Sequence, residues 1–266
     1  MADREALLRE AERKLKEQLR ERTSEDPDGT PSLDAWLHPV PQTLDQAVAS
    51  LLPVLSALKG QNDYVQGWRV VRTAQEHETA TGLDVIADPE ALVEFLRGSR
   101  GIGDDSYSFS ILGFSKRIYP DDPSSYSAQL SYTGGMAPRN SDVVRFTTRA
   151  PRAGDTLSFE QWVQLVGTLV TWRRARFVGV GPASYGIHNA VYDHRVWPGW
   201  MGWFPDTLEP RQLPDFALVR PVGMGTLVAA QERTIRADSQ ADLDRAAQLE
   251  IALAELGVLP TSREVK

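Results

Sequence analysis

Acid–base or metal chemistry would fall first to the histidines. Two of the chain's four histidines share the segment Gly186-Ile-His-Asn-Ala-Val-Tyr-Asp-His194. His194 lies six positions after His188. That gap fits neither the i, i+4 pair of a helical zinc protease nor a strand pair joined by a carboxylate, so no metal site is expected. A hydrolase built here would need His188, Asp193 and His194 to converge within hydrogen-bond reach. The plainer reading is a loop in which Asp193 and His194 make local bonds. Two glycine-rich stretches, Gly98–Gly103 and Gly179–Gly186, lack the Gly-Lys-Ser/Thr of a phosphate loop. The second also has the wrong spacing for a dinucleotide fingerprint, and no convincing helix start follows Pro182. Ser184 has no evident base, and no Gly-x-Ser-x-Gly elbow is present. No catalytic set and no cofactor are expected.

Paired carboxylates occur at Asp104/Asp105 and at Asp121/Asp122. Acid–base work would need one of each pair buried, whereas adjacent aspartates in turns are usually solvated. They read instead as an acidic contact surface. The strongest anomaly is Trp197-Pro-Gly-Trp-Met-Gly-Trp-Phe-Pro205, which holds three of the seven tryptophans. Composition alone would place about 0.2 there. Pro198, Gly199, Gly202 and Pro205 forbid a helix, so the segment is extended or turning, and in a strand Trp200 and Trp203 would take opposite faces. Such a segment can pack a core, anchor a protein interface, or stack sugars or bases.

The elements that would position these residues follow from caps and periodicity. Leu8, Ala11, Leu15 and Leu19 give an amphipathic helix over Ala2–Arg22, a candidate surface for self-association or for clamping a partner. The polar stretch Thr23–Pro31 reads as a linker, leaving 32–266 as one domain. A Thr43/Gln46 capping box starts a helix that runs past Leu58 to Gly60, with Pro53 expected to kink or split it. Asp88-Pro89-Glu90 starts another that Gly98 closes. A third begins at the Ser158/Gln161 box and runs to about Trp172, and a fourth spans Gln240 to Leu256, with Gly257 and Pro260 beyond. Strand patterns fall at Tyr64–Arg72, Tyr107–Phe114, Tyr126–Thr133, Val143–Thr148, Arg176–Val180, Phe216–Arg220 and Gly225–Gln231. Strands cluster with no helix between Tyr107 and Thr148. An α+β fold is therefore expected, largely an antiparallel sheet packed against helices, with an antiparallel meander over that stretch.

Composition narrows the classes further. The chain has 266 residues, is 41% hydrophobic and 24% charged, and has a net charge of −7. That balance argues against direct binding of nucleic acid or an anionic membrane and suits a basic partner. No cysteine is present, which removes disulfides, thiol nucleophiles and thiolate metal ligands. No apolar run approaches the roughly 20 residues of a membrane span, and a cytoplasmic location is expected.

Trp200-Met-Gly-Trp-Phe-Pro205, the Leu213-Pro214 step, Gly223-Met-Gly-Thr-Leu-Val228 and the helix end Leu256-Gly-Val-Leu-Pro260 resemble the immunity protein 52 family. That family belongs to bacterial polymorphic toxin systems. The resemblance spans Tyr64 to Pro260 and is most specific from Trp197 onward. It implies an α+β protein that binds and neutralises a restriction-endonuclease-like nuclease toxin of the type VI secretion system, and so an inhibitor and not an enzyme. It carries over no catalytic residues, and Ala2–Arg22 has no counterpart in it. The contact residues expected are Asp104, Asp105, Asp121, Asp122 and whichever of Trp197, Trp200 and Trp203 is exposed. A hydrolase around His188, Asp193 and His194, or a sugar-binding module on the tryptophans, is the alternative.

Overall fold

A computed structural model describes residues 30–265, apart from 62, 80, 100, 101, 104, 116, 117, 119–124, 150–156 and 237. The expected helix over Ala2–Arg22, and its linker up to residue 29, lie outside the described residues. Among the described residues ten strands form one sheet: β1 (Pro31–Leu37), β2 (Gly67–Val70), β3 (Leu83–Asp84), β4 (Tyr107–Phe114), β5 (Ala128–Gly134), β6 (Asp142–Thr148), β7 (Ala175–Pro182), β8 (Met201–Phe204), β9 (Leu218–Val222) and β10 (Gly225–Ala229). The order across the sheet is β3-β2-β4-β5-β6-β1-β7-β8-β10-β9. Each neighbouring pair is antiparallel. The helices are α1 (Leu44–Gln61), α2 (Ala74–Thr79), α3 (Pro89–Arg97), α4 (Phe159–Trp172), α5 (Ala183–His188), α6 (Gln240–Glu255) and α7 (Ser262–Val265). This is the α+β class that the clustering of strands implies, with the meander at β4-β5-β6.

Strand alternation divides the sheet into two unlike faces. Inward residues such as Leu33, Ile111, Leu130 and Phe146 join the buried faces of α1, α3 and α4, including Leu51, Leu55, Leu92 and Trp162, in the larger core. On the other face, Phe177, Phe204 and Val228 of β7, β8 and β10 pack under Leu249 and Leu253 of α6. Helix α6 thus covers only one half of that second face. Over β4 and β5 the second face is a ladder of hydroxyls, Ser108 to Thr133 at 3.0 Å and Ser110 to Ser131 at 2.8 Å. It continues to Arg145, which binds Asp34 through Nε at 2.6 Å.

The caps do what their spacing predicts. Ser158 and Gln161 form a reciprocal box at α4, and the Asp88 carboxylate accepts from the Ala91 N–H at 3.0 Å at the start of α3. Helix α6 starts at Ser239, and Gly257 beyond its end has φ +74°. Pro53 does not split α1, which is continuous through it. The ring lies on the exposed side, as does Ala49, whose carbonyl has no proline N–H to accept from.

Strand β1 is the element that the sequence hides. It begins at Pro31, the last residue of the expected linker, yet it occupies the middle of the sheet, with Leu33 paired to Phe146 on one side and to Val180 on the other. Helix α5 also contradicts expectation, because Pro182 does precede a short helix.

Candidate interaction surface

The tryptophan segment is mostly core. Trp200 and Trp203 are 1% and 4% exposed, which removes them from the expected contact surface and leaves no paired platform for stacking a sugar. They also enter the same cluster instead of opposite faces. Trp200 precedes β8, where Gly199 at φ +65° turns the chain, and its N–H donates to the Val180 carbonyl at 2.8 Å. The ring packs edge-on against Phe159. Each indole N–H is satisfied, Trp200 on the Gln231 carbonyl at 2.7 Å and Trp203 on the Val222 carbonyl at 2.9 Å. Trp197 is half-buried, against Tyr185 and the backbone of Gly186. A Cβ at Gly186 would sit 2.2 Å from its ring, so the glycine is what admits the indole. The glycines interleaved with the tryptophans were the signal of this packing.

Of the aspartates, Asp104, Asp121 and Asp122 lie outside the described residues. Asp105 is exposed, and its carbonyl accepts from the Ala137 N–H at 2.8 Å and from Arg139 at 3.2 Å. That places it on a rim where the β5–β6 turn meets the β1–α1 connection, joined by the Gln42 N–H to the Gly135 carbonyl at 3.4 Å. Val40 and Met136 stand on this rim 46% and 44% exposed. Sequence reasoning missed both. A Cβ at Gly135 would meet the Asp105 carbonyl at 2.3 Å, and this glycine's φ is +146°, so the rim's close approach depends on it.

Beneath the rim lies a buried polar network. Asp142 is fully buried, and its Oδ2 accepts from Arg173 at 2.7 Å, from Tyr132 at 3.2 Å and from the Val40 N–H at 3.3 Å. Arg173 also donates to the Tyr132 hydroxyl at 2.7 Å and to the His38 carbonyl at 3.0 Å. Gln42 donates to the same hydroxyl at 2.6 Å, and Tyr107 donates to the Gln42 carbonyl at 3.2 Å. Burial, with the Asp142 charge adding to it, pushes the Tyr107 phenol up to about 12. Burial raises Tyr132 as well. Both phenols therefore stay protonated at neutral pH and act as fixed donors. His38 is lowered by burial and by the charges of Arg176 and Arg174, which keeps it neutral. The network ties the β1–α1 and α4–β7 connections to β4, β5 and β6 in a rigid base under the Val40–Met136 rim.

His188, Asp193 and His194 are all exposed. No group of three or more metal-ligating side chains occurs among the described residues. The buried carboxylate of this region is Glu250 on α6, another residue that sequence reasoning passed over. It accepts from the Tyr185 hydroxyl at 2.9 Å and from the Val191 and Tyr192 N–H groups at 3.1 Å each. Burial raises it above the ordinary glutamate value. It clasps the 189–192 loop to α6. No helix among the described residues is long and apolar enough to cross a membrane.

Fold and surface together define an α+β protein whose single antiparallel sheet carries a rigid loop rim at one end and a half-covered outer face. No protein-family model matches the chain, and no curated protein does. Among solved structures the fold is similar to that of the Pseudomonas aeruginosa T6SS protein PA0821. The two are 14% identical with a TM-score of 0.50, over 86% of this chain and 73% of that one. At that identity the likeness is one of fold.

Proposed function

We propose that this chain is an immunity protein that binds and neutralises a nuclease toxin of the type VI secretion system. The observation that carries the reading is the fold shared with a protein of that system. The immunity-like segments support it. Met201–Phe204 and Gly225–Ala229 are partner strands, with Trp203 opposite Leu227, so the resembling residues are neighbours in the sheet.

The mechanism follows from charge and from the rim. A nuclease must attract a polyanion, so its substrate cleft is basic, and a chain of net charge −7 is steered toward it. Protection against a few toxin molecules calls for roughly nanomolar affinity, about −12 kcal/mol. Rim charges alone do not supply that; it takes side chains that become fully desolvated in the complex. Val40 and Met136 serve as those side chains, with Asp105 beside them. Because the buried network holds the rim rigid, little ordering entropy is lost on docking.

Co-expression with restriction-endonuclease-like toxin domains of the type VI system tests the reading. Cell survival with a stoichiometric complex on size exclusion is the expected result. Cell death without a complex overturns it and directs attention to His188, Asp193 and His194 as an enzymatic site.

A further inference from the structure

Helix α6 turns two residues near its start toward one cavity. Asp242 and Arg245 are three positions apart, which puts them on one face of the helix. Asp242 is buried, and it clamps both ends of the Arg233 guanidinium, at 2.5 Å and 2.6 Å, while accepting from the Arg236 N–H at 3.0 Å. Against the cost of burial, those donors hold its carboxyl below the ordinary aspartate value, so the pair stays ionised at neutral pH. The loop that follows β10 is thereby tied to α6, and Glu232 is carried with it. Arg245 is exposed, and its guanidinium sits over the Phe216 ring, 5.5 Å from the centroid.

Between these elements lies a pocket of about 600 Å³ whose lining includes Phe216, Leu218, Glu232, Arg233, Asp242 and Arg245. That volume falls in the range of small-molecule sites. The pocket stands at the β9 end of the sheet, beyond which no described strand follows. Its floor is apolar: Leu218 is continuous with the larger core and Phe216 with the smaller one, and both are half-buried. Its charges are only half neutralised. Arg233 and Asp242 cancel each other. Arg245 and Glu232 line the same pocket, yet they form no ion pair with each other or with any other described group. One cation and one carboxylate held apart over an apolar floor are complementary to a molecule that carries both signs at one end and an apolar group at the other.

We propose that this pocket binds a free α-amino acid with an aromatic or large aliphatic side chain. The ligand's carboxylate meets the edge of the Arg245 guanidinium, one face of which is taken by Phe216, and its ammonium meets Glu232. Its side chain lies on Leu218 beside the Phe216 ring. The assignment rests on this pocket alone and stands apart from the toxin reading.

Titration of the ¹⁵N-labelled full chain with L-phenylalanine is the first test. Saturable amide shifts are expected over 216–218, 231–233 and the first two turns of α6, with a Kd of roughly a millimolar, the scale for about a dozen non-hydrogen atoms. Phenylacetate, which lacks the ammonium, and phenethylamine, which lacks the carboxylate, should each bind roughly three- to fivefold more weakly, the scale of one exposed ion pair. Glu232→Gln should abolish the preference for phenylalanine over phenylacetate, and Arg245→Gln the preference over phenethylamine. Neither side chain holds a hydrogen bond of the fold, so both variants are expected to unfold at the wild-type temperature. Shifts centred elsewhere, or none that saturate, overturn the site. Equal binding of the three probes, or preferences that survive both substitutions, overturn the charge assignment.

Discussion

Glu250 concentrates much of what single residues do in this chain. Its carboxylate meets three donors, and its two oxygens divide them, with both loop N–H groups on Oε1 and Tyr185 on Oε2. Because burial raises its folded value, the native state holds the proton more tightly than the unfolded chain does. This site's stability contribution is then fully present below the ordinary glutamate value of 4.5 and is lost as pH rises through the higher folded value. Glu250→Gln keeps an acceptor for the loop and removes the charge. Urea unfolding at several pH values should show the mildly acidic slope flattened in that variant. Glu250→Ala instead strands three donors and should cost about 2–4 kcal/mol. Arg173→Ala leaves Asp142 buried without its main cation, and about 3–5 kcal/mol is expected by the same measurement. None of this was legible in the sequence, where Glu250 is one acidic residue among many on a helix. The tryptophans stood out by count, but count does not distinguish core from surface. Gly186 and Gly199, against which Trp197 packs, do distinguish them.

At the scale of elements, the starts and stops were the legible part. Ser158, Asp88 and Gly257 act through local hydrogen bonds or one left-handed residue, and such signals need no tertiary context. Ser158→Ala should cost about 1 kcal/mol in thermal or chemical unfolding, and restoring the cap with Asp should recover most of it. The elements that the sequence hid depend on contacts made elsewhere. Strand β1 has the alternation Leu33, Ala35, Leu37, but a polar turn-rich run leads into it and obscures the pattern. Helix α5 has only six residues and contains Gly186, an unfavourable choice for a helix until the Trp197 ring occupies the space of its missing side chain. Gly186→Ala should force that ring outward, with a red-shifted, more quenchable tryptophan emission and a loss of about 1–3 kcal/mol.

For the molecule as a whole, the rim and the outer face separate binding from stability. Val40→Glu with Met136→Glu removes two exposed apolar groups and touches no core contact. The double variant should unfold at an unchanged temperature and, on the proposed function, weaken the proposed toxin complex by at least about 2 kcal/mol in calorimetry. An unchanged affinity would move the contact surface away from the rim. The antiparallel class was readable from strands that follow one another without helices. The single continuous sheet was not, because joining its two halves requires β1, whose partners lie far away in the chain. Of the residues on the proposed contact surface, only the exposure of Asp105 was expected from the sequence, since exposure of Val40 and Met136 is a property of the folded loops.

That placement of β1 sets a timetable for synthesis. One edge of this first strand waits for β6, which starts at Asp142, and the other waits for β7, which ends at Pro182. A ribosome that adds roughly 5–20 residues per second leaves Leu33, Ala35 and Leu37 without their partners for on the order of ten seconds. Nascent chains stalled near residue 170 should be cut readily by protease, while released full-length chains resist it. The protein becomes competent only after its middle has been made, and in that interval its exposed β1 is the segment a chaperone would hold.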